Sequence, residues 1–242
     1  MPRAYGLALW RFFLIILVFI GFTPLYWLLL KVNQPLGFRF GRFYLSTWRR
    51  CIGHQLIIKG TLSKAKPTLY VSNHSTYVDI LVLGTFIPAR FVAKLEVAEW
   101  PIMGWLATNQ GTMYIDRSRN AISEGTDKLT EFIDKGESLI LFAEGTTSDG
   151  CRILPFGSSF FDVAIKKNVV VQPITVTYAD VDLLSHLWFI AQWGTVQVIV
   201  TLHTPLKASE FASRKELSQA SFQAVQEGLL DAFSKPISEY MS

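Results

Sequence analysis

The stretch TLYVSNHSTYVDILVLGT, residues 68–85, decides how this chain folds. Thr68 to Val71 is a short β-branched and aromatic run. Ser72 to Thr76 is polar, and Tyr77 to Thr85 reads as a helix, so the segment predicts strand, turn and helix in succession. The same alternation continues outward from it. Further strands are expected at His54 to Lys59, Arg90 to Ala93, Thr112 to Ile115, Ser138 to Phe142, Val169 to Thr177 and Thr195 to His203. Helices are expected at Ser118 to Lys135, Ser159 to Lys166 and Arg214 to Phe233. Strands alternating with helices describe an α/β domain with a mostly buried sheet flanked by helices. Polar residues that follow strands lie where open α/β sheets place their sites.

Within that turn stand His74 and Asp79. Five residues apart on one regular helix they would sit about 140° apart in azimuth and never meet. One of them must therefore lie outside the helix. If Ser75 or Thr76 caps the helix and His74 sits in the preceding turn, the imidazole can fold back to the carboxylate. A carboxylate on one ring nitrogen fixes the tautomer and leaves the other nitrogen as a base for a hydroxyl. No serine or cysteine stands in an elbow motif, so the hydroxyl activated belongs to a substrate rather than to the protein. Spacing alone is a weak signal and favours a capping Asp and a satisfied histidine over a catalytic pair.

The chain has 242 residues, 50% hydrophobic and 17% charged, which excludes a disordered or large multidomain protein. No acidic residue precedes Asp79, so residues 1–78, with ten Lys and Arg, carry +10. The remaining 13 basic and 19 acidic residues give −6. That asymmetry directs the N-terminal part toward an anionic surface. From Phe12 to Leu30 runs a segment of 19 residues without a charge, just long enough for a hydrocarbon core of about 30 Å. Pro24 interrupts it, so two short helices meeting at a kink and one straight helix are both open. Phe38 to Ile52 reads as a basic amphipathic helix, with Arg39, Arg42, Arg49 and Arg50 on one face and Phe40, Phe43, Tyr44 and Trp48 on another. Residues 1–53 are thus expected to anchor the chain to a cytoplasmic leaflet, spanning or only dipping, and residues 54–242 to form the α/β domain. Cys51 and Cys151 lie a hundred positions apart with no CxxC, so a zinc site or a disulfide framework has little support, and they read as reduced thiols. No metal or bound organic cofactor is implied.

Three more blocks join the first. Gly111-Thr-Met-Tyr-Ile-Asp-Arg117 sets a cation after a strand, Phe142-Ala-Glu-Gly-Thr146 sets a carboxylate, a glycine and a hydroxyl after another, and Val171-Gln-Pro-Ile-Thr175 sets a proline in a third. In this order and spacing the four blocks, over roughly residues 54–205, resemble the glycerolipid acyltransferase family, specifically its bacterial 1-acylglycerol-3-phosphate acyltransferases. The resemblance implies a glycerol-3-phosphate acyltransferase-like α/β fold with a membrane-associated N-terminal segment, at the cytoplasmic face of a bacterial inner membrane. It implies transfer of an acyl group from acyl-CoA or acyl carrier protein to the 2-hydroxyl of 1-acylglycerol-3-phosphate, giving phosphatidic acid. His74 would be the general base and Asp79 its orienting partner. Arg117 would pair with the acceptor phosphate, with Lys94 close to it. Glu144, Gly145 and Thr146 would bind the glycerol backbone.

One departure matters. Many members read Glu-Gly-Thr-Arg in the third block, whereas this chain has Glu144-Gly-Thr-Thr147 and then Ser-Asp-Gly-Cys-Arg152. Either Arg152 reaches back to restore the charge, or the acceptor has a different headgroup. Chains with Glu-Gly-Thr-Thr-Ser-Asp-Gly resemble lyso-ornithine lipid acyltransferases, which makes that lysolipid the alternative acceptor. A hydrolase using the same pair on water, or a non-catalytic phospholipid-binding relative, fits less well with Arg117, Glu144, Gly145 and the pair itself all present. Tyr77 and the Trp100–Trp105 stretch read as acyl-channel lining or as plain core. His54, His186 and His203 read as structural, and the apolar Leu187 to Trp193 run as lipid-facing or buried. Arg117→Ala is expected to raise KM for a phosphate-bearing acceptor more than for the thioester; steady-state kinetics showing equal effects would remove Arg117 from the acceptor site.

Overall fold

The computed structural model describes residues 5–101, 103–116, 122–178, 192 and 194–234. Helix α1 (Tyr5–Val32) is continuous, with Pro24 inside it. The alternative of two short helices does not form, because aromatic packing offsets the hydrogen bond that proline removes. Phe22 and Tyr26 pack against Phe40 and Tyr44 of α2 (Gln34–Cys51), and the Thr23 hydroxyl meets the Tyr44 hydroxyl at 2.7 Å. The turn between the two helices is local chemistry. Asn33 closes α1, its side chain accepts the N–H of Leu36 at 3.1 Å, and Pro35 occupies the first turn of α2, where no donor is needed.

α1 is long and apolar enough to cross a membrane, yet it is hydrogen-bonded to the α/β domain near both ends, and Ile15 packs on the sheet core between them. The Arg11 guanidinium donates to the Gly194 carbonyl at 2.7 Å, and the Tyr26 hydroxyl donates to the Asn109 carbonyl at 3.1 Å. Fifteen residues separate those points, or ~22 Å along the axis. The helix therefore lies along the domain rather than projecting from it. Its other face leaves Leu9, Trp10, Phe13, Ile16, Leu17 and Ile20 exposed.

The sheet comprises β1 (His54–Lys59), β2 (Thr68–Ser72), β3 (Arg90–Lys94), β4 (Met113–Ile115), β5 (Leu139–Phe142), β6 (Val170–Tyr178), β7 (Val196–Leu202) and β8 (Leu206–Lys207). Their order is β1-β7-β6-β2-β5-β3-β4, with β8 prolonging the edge on β6 that β7 begins. Pairing is parallel except where β6 meets β7 and β8. Alternation along the strands divides two cores. Tyr70, Ile140 and Phe142 face α3 (Val78–Phe86), packing on Val78, Val82 and Leu83. Leu69, Val71, Leu139 and Leu141 face the opposite layer, where Leu129 and Ile133 of α5 (Ile122–Asp134) and Val163 and Ala164 of α6 (Asp162–Lys167) lie; Leu217 of the C-terminal helix (Arg214–Ser234) joins them.

The seven expected strands form with ends shifted by a residue or so. The stretch after β3 departs from expectation, folding into a short 3-10 helix (Leu95–Glu99) and α4 (Met103–Asn109). Its anchor is tertiary: Leu106 joins the Tyr26 and Tyr44 cluster, which no local pattern reveals. His186 and nearly all of the 187–193 run lie outside the described residues.

β1 begins at a buried imidazole. Arg49 donates to the backbone carbonyl of His54, and burial, with Arg11 and Arg49 close by, pushes the His54 side chain down to about 4 from an ordinary 6.5. The unfolded chain takes up that proton first, so stability present above pH 6.5 drains away as pH falls toward 4. Denaturation in detergent at pH 7.5 and 5 should show this loss, up to roughly 3 kcal/mol over the whole window, and His54→Gln should flatten it.

Candidate active site

Strand β2 ends at Ser72, opposite Ile174 of β6. Asn73 continues the pairing with its side chain: Nδ2 donates to the Val176 carbonyl at 2.9 Å and Oδ1 accepts the Val176 N–H at 2.8 Å. An amide that mimics a strand residue lets the backbone turn away at His74 without orphaning polar groups of β6. Asp79 lies in the first turn of α3 and is wholly buried. Its Oδ2 accepts His74 Nδ1 at 2.8 Å and the N–H groups of Ser75 at 2.7 Å and Thr76 at 3.0 Å. The expected Thr76 hydroxyl takes part, accepting the Val78 N–H at 3.4 Å, but the carboxylate makes the shorter bonds. Tyr77 stands at the N-cap without a side-chain bond, and the carboxylate gathers the free amide donors of the turn.

With Nδ1 donating to a carboxylate, Nε2 is the ring nitrogen left to accept a proton. Phe142 stacks on the imidazole, centroids 4.0 Å apart and planes 16° from parallel, so the ring is held by a face as well as by an edge. The backbone of His74 is clamped too. Glu144 Oε1 accepts its N–H at 2.7 Å, and Ser148 N–H donates to its carbonyl at 2.7 Å. Glu144 Oε2 accepts the N–H of Leu154 at 2.8 Å. Burial raises the Glu144 carboxyl, opposed by those two backbone donors. Gly145, at φ 76°, makes the turn that brings the loop under His74, a conformation unfavourable for residues with a Cβ.

His74 opens onto a cavity of about 290 Å³. Its walls are mostly apolar: Tyr44, Leu45 and Trp48 of α2, Ile80 and Leu81 of α3, Phe91 and Val92 of β3, and Leu106 of α4. Tyr77, Trp100 and Met103 also line it and are partly exposed, whereas Trp105 is exposed and does not line it. Polar groups are few, namely Lys94, Gln110, Thr112, Thr146 and Thr147 with Gly145. Such a space accepts a hydrocarbon chain beside an imidazole, with a few polar groups on its walls.

Of the residues singled out from the sequence, His74, Gly145, Thr146 and Lys94 line this cavity, with Asp79 behind His74. Glu144 is turned to the backbone of His74 and Leu154 rather than into the space. Arg152 points to Asp149, Nε to Oδ2 3.4 Å, with its side chain 77% exposed. Arg117 lies outside the described residues. Sequence reasoning missed Phe142 as a support for His74, the amide mimicry of Asn73, and Tyr178, whose hydroxyl reaches Asp79. Only the stacking carried a hint, since Phe142 precedes the Glu144 block directly.

A strand-turn-helix here joins an imidazole to a buried carboxylate beside an apolar slot, an arrangement able to accept a proton from a hydroxyl next to a hydrocarbon chain. An acyltransferase family model matches residues 55–177. The lyso-ornithine lipid O-acyltransferase of Brucella abortus is 30% identical over 86% of this chain and 90% of its own, and that of Pseudomonas aeruginosa is 31% identical over 79% of each. The 1-acyl-sn-glycerol-3-phosphate acyltransferase of Neisseria gonorrhoeae is 29% identical over 65% of this chain and 68% of its own. Among solved structures, the 1-acyl-sn-glycerophosphate acyltransferase PlsC from Thermotoga maritima shares the fold at a TM-score of 0.73, with 21% identity over 96% of this chain and 97% of the other. The chain belongs to the glycerolipid acyltransferase family. It is an enzyme of lipid biosynthesis, acting on a lysolipid.

Glu144→Gln puts an amide NH2 against one of two backbone donors. It is expected to destabilise the protein by about 1–3 kcal/mol and to lower kcat more than it raises KM, as thermal unfolding and steady-state kinetics will test.

Proposed function

We propose that this protein O-acylates a lyso-ornithine lipid with the acyl group of acyl-CoA or acyl carrier protein. The reading rests chiefly on the His74–Asp79 pair, whose free ring nitrogen belongs to a residue lining the apolar cavity. His74 takes the proton from the acceptor hydroxyl as that oxygen attacks the thioester carbonyl. The tetrahedral oxyanion collapses, the C–S bond breaks, and the imidazolium returns its proton to the departing thiolate. Proton transfer of this kind contributes roughly 10²- to 10⁴-fold. Asp79 keeps the imidazole in the tautomer that accepts and balances its transient charge.

Two observations favour the ornithine headgroup. The Brucella and Pseudomonas relatives, matched over 86% and 79% of this chain, carry that name, and the arginine expected after Glu-Gly-Thr is absent while Arg152 is turned to Asp149. Lysophosphatidate is the second reading, favoured by Lys94 on the cavity wall and by the Neisseria relative. Lys94 suits a carboxylate as well as a phosphate, so it does not separate them.

The protein acts at the cytoplasmic face of the inner membrane, with residues 1–53 as its membrane segment and 54–242 as the catalytic domain. Contacts of α1 with Gly194 and Asn109 support a helix lying in one leaflet rather than crossing. The exposed apolar face of α1, with Tyr77, Trp100 and Met103 at the cavity, suits lateral entry of a lipid.

Purified protein given acyl thioester should release thiol only with an acceptor, and faster with lyso-ornithine lipid than with lysophosphatidate; the reverse preference selects the second reading. His74→Ala should abolish turnover while leaving vesicle flotation unchanged and the protein folded, with melting lowered because buried Asp79 loses a donor. Activity retained above a few per cent of wild type removes the base assignment.

A further inference from the structure

Three donors reach Asp79 Oδ2, and all come from the adjoining residues 74–76. The other oxygen has a different kind of partner. Tyr178, at the last position of β6, donates its hydroxyl to Asp79 Oδ1 at 2.5 Å. Among the described residues it is the sole group hydrogen-bonded to this carboxylate from outside the local turn. A carboxylate held at one oxygen can still roll about its Cβ–Cγ bond, since that torsion is broad and roughly two-fold. A second donor on Oδ1 stops the roll and ties the pair to the centre of the sheet.

The phenol is built to remain a donor. It is buried; burial first, then the charge of Asp79 and the bond to it, raise Tyr178 well above its ordinary 10. Its ring meets His54 edge to face at 6.0 Å. The charged and titratable groups around the assembly come from every neighbouring element. They are His54 on β1, Arg11 on α1 and Arg49 on α2 behind the phenol, with Glu144 beneath His74 and Lys94 on β3 across the cavity.

We infer that Tyr178 is a positioning residue for acyl transfer, its hydroxyl fixing the Asp79 carboxylate and, through it, the tautomer and aim of His74. The inference rests on the reading of His74 as the base. It gives the site a third member drawn from a strand that touches no substrate.

Tyr178→Phe keeps the ring, its volume and its packing on His54 while deleting one O–H. Removing the donor should lower kcat roughly tenfold with KM for both substrates within about twofold. A buried carboxylate with one donor fewer favours proton uptake by the pair, so the acidic limb of the kcat/KM profile should move to higher pH. A purely packing role would change melting and active fraction but not that limb. The Nδ1–H resonance of His74, read by NMR on protein carrying 15N-histidine, should shift in the variant. Should Tyr178→Phe not fold, 3-fluorotyrosine at position 178 keeps the hydroxyl as a stronger donor and should move the limb to lower pH. An unmoved limb and resonance in Tyr178→Phe, or an unmoved limb with fluorotyrosine, overturns the inference while leaving the base reading intact if His74→Ala is inactive. An active His74→Ala overturns the base reading instead.

Discussion

A carboxylate with no exposure to solvent needs donors on every side, and this requirement organises the centre of the molecule. Asp79 sits in the first turn of α3, where unsatisfied backbone N–H groups cluster, and it uses two of them. The third donor on the same oxygen is the imidazole. The interaction that closes the helix end is thus the one that sets the histidine's tautomer, so a stable helix start and an imidazole with Nε2 left to accept are a single arrangement. Loosening either loosens both.

Around that pair the fold devotes several elements to holding one ring. Phe142 presses on its face, Glu144 and Ser148 grip its backbone, and Asn73 lets the chain leave the sheet at the right place. The Glu-Gly-Thr block, which the family resemblance assigns to the acceptor's glycerol, is divided in space. The carboxylate faces inward to the backbone of His74, while Gly145 and Thr146 line the cavity. A motif read as one binding unit can therefore hold two tasks, because adjacent residues on a tight turn point in different directions.

The N-terminal helices are part of the same construction. α2 supplies one wall of the cavity, and Leu106 of α4 packs into the aromatic cluster between α1 and α2. Seating the two helices against lipid would bring the apolar slot to the depth where acyl chains lie. The exposed side of α1 is as apolar as a spanning helix, while its other side is held to the α/β domain by Arg11 on Gly194, Ile15 on the sheet core and Tyr26 on Asn109.

The sequence by itself determined the alternation of strands and helices, the divided charge, and the need for His74 to stand outside the helix that carries Asp79. All three follow from periodicity and covalent spacing, which are local. Tertiary structure alone decided that α1 stays whole through Pro24, that α4 exists, and that Tyr178, 99 residues beyond Asp79, reaches its second oxygen. Those outcomes depend on which surfaces meet when the chain closes, and contacts between distant residues leave no period in the sequence to read.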